Sequence, residues 1–269
     1  MRALILVLPI LFLSCPFLIA QADATNAPVR IYASGQDVTL PQLLASPQGY
    51  PLGNCRPDMD GILTFSLIVD ASGQPRNIYF LSPIGDDLDL IALRQVIADR
   101  FTPGMSAGQP VAVAVSLEMK LHACLAQRKD AGGKTQQVLE LTSLPTQELK
   151  LPVNPPQQAV LVSGSGLSAN PADPDAGIEK VGGDVKPPIH FEPAESLFRE
   201  QRAALGRGDY KVSLVVDRYG LPERLKIIES AMPGREQAIA STFRLHRWKP
   251  AMKDGEPVPS RVQVEIDNR

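Results

Sequence analysis

The sequence predicts an α+β protein in which one strand–strand–helix–strand (ββαβ) unit occurs twice, the copies joined by a Pro/Gly-rich linker. Three observations carry this. Apolar residues alternate at period two in short runs such as Tyr210, Val212, Leu214 and Val216, the mark of half-buried strands. Gly, Pro and Asp clusters separate the runs. A single offset also relates the halves: Asp70–Ala71–Ser72–Gly73 stands against Asp217–Arg218–Tyr219–Gly220, and 217 − 70 = 147. The same offset joins Pro75 to Pro222, Arg100 to Arg247, Pro103 to Pro250, Gly108 to Gly255 and Val115 to Val262. The matched positions are mostly turn formers and strand-interior apolar residues, as one backbone used twice requires.

In order, Met1–Arg2 precedes an apolar run from Ala3 to Ala20 and the small-x-small triplet Ala20–Gln21–Ala22. Residues 1–22 therefore read as a cleavable signal peptide and the protein as periplasmic. The alternatives are an uncleaved inner-membrane anchor and lipidation at Cys15. Cleavage leaves Cys55 and Cys124, an even count in an exported chain, which suggests a disulfide. With the last strand of the first unit antiparallel to its first strand, both cysteines fall at one end of the sheet; two free thiols are the alternative. Residues 23–60 form a turn-rich lead-in with a short strand at Val29–Tyr32.

The first unit spans 61–125. Phe65, Leu67 and Val69 face inward from strand one, Asp70–Gly73 turns the chain, and strand two carries Ile78 and Phe80. A helix is expected from Leu88 to Arg100, capped by Asp86 or Asp87 and ended by Phe101–Thr102–Pro103. Val111, Val113, Val115, Leu117 and Met119 alternate along a third strand. Residues 126–184 have linker composition, with Gly132–Gly133, Pro155–Pro156 and Gly164–Ser165–Gly166. The second unit, 185–269, opens with an amphipathic helix from Glu192 to Gly206. Strands and a turn at Asp217–Gly220 follow, then a helix from Arg235 to Arg247 closed by Trp248–Lys249–Pro250. A last strand then carries Val258, Val262, Val264 and Ile266 on its inner face, leaving Arg261, Gln263 and Glu265 outward.

The order G-x-V-x-L-x-V-D-x-x-G-x-P, strand, helix, W/F-x-P, G-x-P-V, strand resembles the C-terminal domain of TonB, the family of periplasmic energy transducers of Gram-negative envelopes. In the second unit Gly208, Val212, Leu214, Val216, Asp217, Gly220, Pro222, Trp248, Pro250, Gly255, Pro257 and Val258 carry it. In the first, Gly61, Asp70, Gly73, Pro75, Phe101, Pro103 and Gly108 do. The resemblance implies a small antiparallel sheet packed on one or two helices. It also implies capture of an extended segment of an outer-membrane receptor by strand addition, with force supplied by an inner-membrane motor. The N-terminus reads as cleavable, the spacer has no Glu-Pro/Lys-Pro repeat and the domain is doubled, which sets this chain apart from an anchored transducer.

Function is then expected at a strand edge, on Arg261, Gln263 and Glu265, and a proline at 262 or 264 is expected to abolish capture. The partners are proteins, receptor segments or motor components, with self-pairing into a homodimer as a further expectation. An envelope scaffold without energy transduction is the alternative reading. The net charge of −2 offers no basic surface for nucleic acid. His122-x-Cys124 is too few ligands for a metal site, and no cofactor is expected. Asp70 and Asp217 suit turn geometry better than catalysis, Gly73 and Gly220 supply positive φ there, and Phe101 and Trp248 plug the core. His246 reads as a surface or boundary residue. No nucleophile–base arrangement has supporting context, so an enzyme is not expected.

Overall fold

The computed structural model describes residues 27–32, 38–44, 52–85, 87–129, 132–152, 154–161, 177–191, 208–230 and 233–268. The expected signal peptide (1–22), the whole of the helix expected at 192–206, and the Gly164–Ser165–Gly166 stretch lie outside the described residues. The described part is α+β, mostly antiparallel sheet with helices packed on it.

The first half runs β1 (Val29–Arg30), β2 (Gln42–Leu43), β3 (Met59–Val69), β4 (Pro75–Ser82), α1 (Asp87–Ala98), β5 (Phe101–Thr102), β6 (Gly104–Ser106), β7 (Gln109–Val111) and β8 (Val113–Lys129). Alternation in β3 and β8 turns Leu63, Phe65, Leu67, Val115, Leu117 and Met119 to one buried face. Leu88, Ala92 and Val96, spaced i, i+4, i+8 on α1, lie against that face. The Phe65 and Phe80 rings meet at 4.8 Å between centroids, within the range of favourable aromatic pairs. Asp86 and the Asp87 side chain, the expected caps, lie outside the described residues; Asp89 accepts the Ile84 and Gly85 N–H groups ahead of α1 at 2.8 and 2.9 Å.

Residues 126–150, expected as linker, are largely strand. β8 runs on to Lys129, β9 (Thr135–Leu141) returns along residues 123–129, and β10 (Thr146–Lys150) pairs antiparallel with residues 116–120. Glycines mark hairpin turns as well as linkers, and Gly133 at φ 78° serves the former. β11 (Gln158–Ala159) pairs with β1. The order in the larger sheet is β10-β8-β3-β4, with β9 beside β8.

The second half contains β12 (Val185–Lys186), β13 (Ile189–Phe191), β14 (Gly208–Val216), β15 (Pro222–Ser230), α2 (Glu236–Leu245), β16 (Arg247–Lys249), β17 (Ala251–Lys253), β18 (Glu256–Val258) and β19 (Ser260–Asn268). Its main sheet has the order β15-β14-β19. Registers recur at the sequence offset. Phe65↔Phe80 is met by Val212↔Ile227, and Val69↔Pro75 by Val216↔Pro222. Leu43↔Phe101 is met by His190↔Trp248, and the parallel bridge Tyr32↔Val113 by Glu179↔Ser260. Both hairpins shift register at the same place, between Thr64 and Phe65 and between Lys211 and Val212.

Two expectations need correction here. α2 stops at Leu245, because Arg247–Lys249 extends to pair with β13. Val258 is not in the last strand: Pro259, which has no N–H to give a ladder, separates β18 from β19, and Val258 packs with Val185 and Ala251. Val262, Val264 and Ile266 do pack on the core of Tyr210, Val212, Leu214, Ile239, Phe243 and Trp248.

The halves touch. Tyr219, from the β14–β15 turn, is buried in the core of the first half, and its carbonyl accepts the Phe80 N–H at 3.4 Å. Arg247 Nε lies 3.0 Å from Asp89 Oδ2, with the two side chains 1% and 0% exposed.

Candidate functional site

The turn ahead of β15 frames the second sheet. Asp217 Oδ1 accepts the N–H groups of Tyr219 and Leu221 at 2.9 and 2.7 Å, the local bonding for which a short carboxylate suits a turn. Gly220 has φ 94°, and its carbonyl accepts the Trp248 N–H at 2.9 Å. A Cβ there would stand 1.8 Å from the Trp248 carbonyl oxygen, so glycine is required by close approach as well as by torsion. Gly73 repeats this, with φ 77° and a Cβ site 1.9 Å from the Phe101 oxygen. Trp248 is buried in the core, and Pro250 is buried between β16 and β17 as Pro103 stands, half-buried, between β5 and β6.

The pKa values of the two turn aspartates are shifted in opposite directions. Burial works against ionisation of Asp70, but the Ser72 hydroxyl, Arg76 and two backbone N–H groups outweigh it and hold the carboxyl below its ordinary value; Arg76 Nε is 2.8 Å from Oδ2. Asp217 has Glu223 at the offset of Arg76. Burial first, then the Glu223 charge, push it up to about 7 against its three backbone hydrogen bonds.

β19 presents the candidate site. Among the described residues it pairs with β14 along its length and, on its other side, with Glu179 at Ser260 alone. In an extended strand the backbone groups of successive residues point to opposite sides. The Pro259 carbonyl accepts the Glu179 N–H at 2.8 Å from the side away from β14. Arg261, Gln263 and Glu265 therefore aim their backbone N–H and C=O groups at the outer edge, while Val262 and Val264 aim theirs at β14. The first half obeys the same rule, since the Tyr32 and Thr142 backbones bond Ala114 and His122 of β8 from outside. A proline at 262 or 264 would thus remove a bond to β14; Gln263 is the position that removes an outward donor. The side chains of Arg261, Gln263 and Glu265 are exposed on the polar face, and Glu265 Oε1 meets Lys211 Nζ at 2.6 Å.

Cys55 and Cys124 form a disulfide, with Cα atoms 6.1 Å apart, pinning the lead-in to the far end of β8. His122 Nδ1 lies 2.6 Å from Asp60 Oδ1, and no group of three or more potential metal ligands occurs among the described residues. His246 is buried, correcting its placement as a surface or boundary residue: its Nδ1 lies 2.7 Å from His190 Nε2, its ring stacks on those of His190 and Phe243, and Trp248 meets it at a tilt. Burial, then His190 and Arg247, lower its pKa to about 4. No described helix is long and apolar enough to cross a membrane. Sequence reasoning missed β10; its signal was the inward pair Gln147 and Leu149 among polar neighbours.

The second half is thus a three-stranded antiparallel sheet packed on one described helix, with β19 at its edge. Residues 199–268, which include β14 through β19, match the family model described as the Gram-negative bacterial TonB protein C-terminal. No curated protein and no solved structure matches the chain.

Proposed function

We propose that this is a TonB-like periplasmic protein that binds extended protein segments by strand addition to the outer edge of β19, in TonB-dependent transport across the outer membrane. The observation that carries it is the row of outward backbone groups at Gln263 and Glu265 inside the stretch that matches the TonB C-terminal model. Such groups are completed by an incoming extended chain, with main-chain bonds for affinity and alternate side chains for specificity. The chemistry is recognition, not catalysis. Residues 1–22 are the export signal, and 61–125 and 185–269 are two copies of one unit, a reading supported by registers that recur at the sequence offset. The partners are receptor segments or motor components.

The test is selection of displayed random peptides on the full chain, repeated with Gln263→Pro. Proline is tolerated on an edge whose N–H faces solvent, so the variant keeps its fold by circular dichroism. Loss of the selected peptides is expected. Capture of the same peptides by the folded variant would sink the proposal.

A further inference from the structure

The first half holds a strand where the second has no outer strand among the described residues. β10 lies on β8 with Lys150↔Ser116, Leu149↔Leu117, Glu148↔Glu118, Gln147↔Met119 and Thr146↔Lys120. At the sequence offset those β8 positions are Gln263, Val264, Glu265, Ile266 and Asp267 of β19, the stretch without an outer neighbour among the described residues. β10 is also placed as a ligand would be. Leu149 packs inward on the core, and Lys150 Nζ reaches Glu118 Oε2 at 2.5 Å. That contact holds the Glu118 carboxyl below its usual range. Glu265 stands at the offset of Glu118. It shares one oxygen with Lys211 and, at 72% exposure, is open to a second cation.

We propose that β10 is a built-in counterpart of the ligand. It closes the first edge, leaving one site per chain, and it shows the chemistry of the occupant of the second. That occupant is an extended segment antiparallel to β19 across Gln263–Asp267. It carries an apolar residue opposite Val264, followed by a basic residue opposite Gln263 that pairs with Glu265. This rests on strand addition at β19; orientation, register and side-chain chemistry are what it adds. An apolar residue there extends the sheet's inner face, and the backbone bonds are those of any antiparallel ladder.

The probe is the synthetic peptide SLPTQELKLP, residues 143–152, carrying a nitroxide on a cysteine appended at its C-terminus. It is added to the full-length chain and followed by amide NMR. The expected result is one peptide per chain, with broadening at Arg261 and Val262 and none at Asn268. Replacing the peptide leucine opposite Val264 by alanine should weaken binding about tenfold, and replacing its lysine by glutamate about two- to fivefold. Broadening centred on Asn268, or binding indifferent to both replacements, would overturn the orientation and chemistry while leaving strand addition intact. Shifts at Ser116–Lys120 in place of β19 would overturn closure of the first edge. No change at β19 at millimolar peptide, with displayed peptides still lost on Gln263→Pro, would overturn this inference alone. Absence of both responses would overturn strand addition itself.

Discussion

Replacing Arg247 by methionine removes one half of the ion pair that joins the two halves of the molecule. Asp89 is wholly buried and Arg247 nearly so, at 3.0 Å. Without the guanidinium, the Asp89 carboxylate keeps the Ile84 and Gly85 N–H groups but has lost its counter-charge in a dry site. Breaking a buried pair in this way costs about 3–5 kcal/mol, a large share of the roughly 5–15 kcal/mol that holds a typical domain together. The lost Nη1 bonds to the Arg244 and His246 carbonyls at the end of α2 fall within that figure. Urea unfolding at pH 7 measures it. The decisive variant is the second one. Adding Asp89→Asn to Arg247→Met removes the stranded charge, so the double variant should be more stable than Arg247→Met alone. A loss under about 1 kcal/mol for Arg247→Met, or a further loss on adding Asp89→Asn, would refute the buried-pair reasoning.

Two buried groups titrate in opposite senses. His246, with a folded pKa of about 4 against 6.5, stabilises the neutral fold above pH 6.5 and loses about 3 kcal/mol as pH falls to 4. Asp217, at about 7 against 3.8, contributes fully below pH 3.8 and loses about 4 kcal/mol as pH rises through 7. The slopes offset between pH 4 and 6.5, so His246→Phe should make stability rise on acidification, and Glu223→Arg should make it fall; urea midpoints across that range check both. Gly220→Ala meets the Trp248 carbonyl at a positive φ and should cost about 2–3 kcal/mol, whereas Gly108→Ala, with open space around its Cβ site, should cost about 1 kcal/mol. Thermal unfolding separates them. Replacing Cys55 and Cys124 by serine removes a link across 69 residues and should cost about 2–5 kcal/mol, read by the same method.

The turns and the strands around them were legible because their signals are local. Asp70–Gly73 and Asp217–Gly220 carry their own hydrogen-bonding carboxylates and positive-φ glycines, and period-two alternation marks β3, β8, β14 and β19. The two-residue pairing of β2 with β5 was not legible, since so short a contact leaves no periodicity. Nor was the burial of Arg247: Arg100 occupies the same place in the repeat and is exposed, and only the meeting of the halves distinguishes them. β10 was hidden for a related reason. Thr146–Lys150 is mostly polar, and its role as a strand is set by the edge of β8 rather than by its own composition. The side chains of Arg261, Gln263 and Glu265 are exposed, as their alternation with Val262, Val264 and Ile266 led one to expect. The direction of the backbone groups needed the Glu179–Pro259 bond, and with it the test position moves from 262 or 264 to 263.

The open edge is tested most directly by amide hydrogen exchange at matched positions of the two sheets. Ser116 and Glu118 aim their N–H groups at β10; Gln263 and Glu265 aim theirs at an edge with no described neighbour. In the free chain, slow exchange is expected at Ser116 and Glu118 and fast exchange at Gln263 and Glu265, the latter pair becoming protected when a selected peptide binds. Gln263 and Glu265 amides already as protected as Ser116 and Glu118 in the free chain, or unprotected with peptide bound, would contradict strand addition at β19.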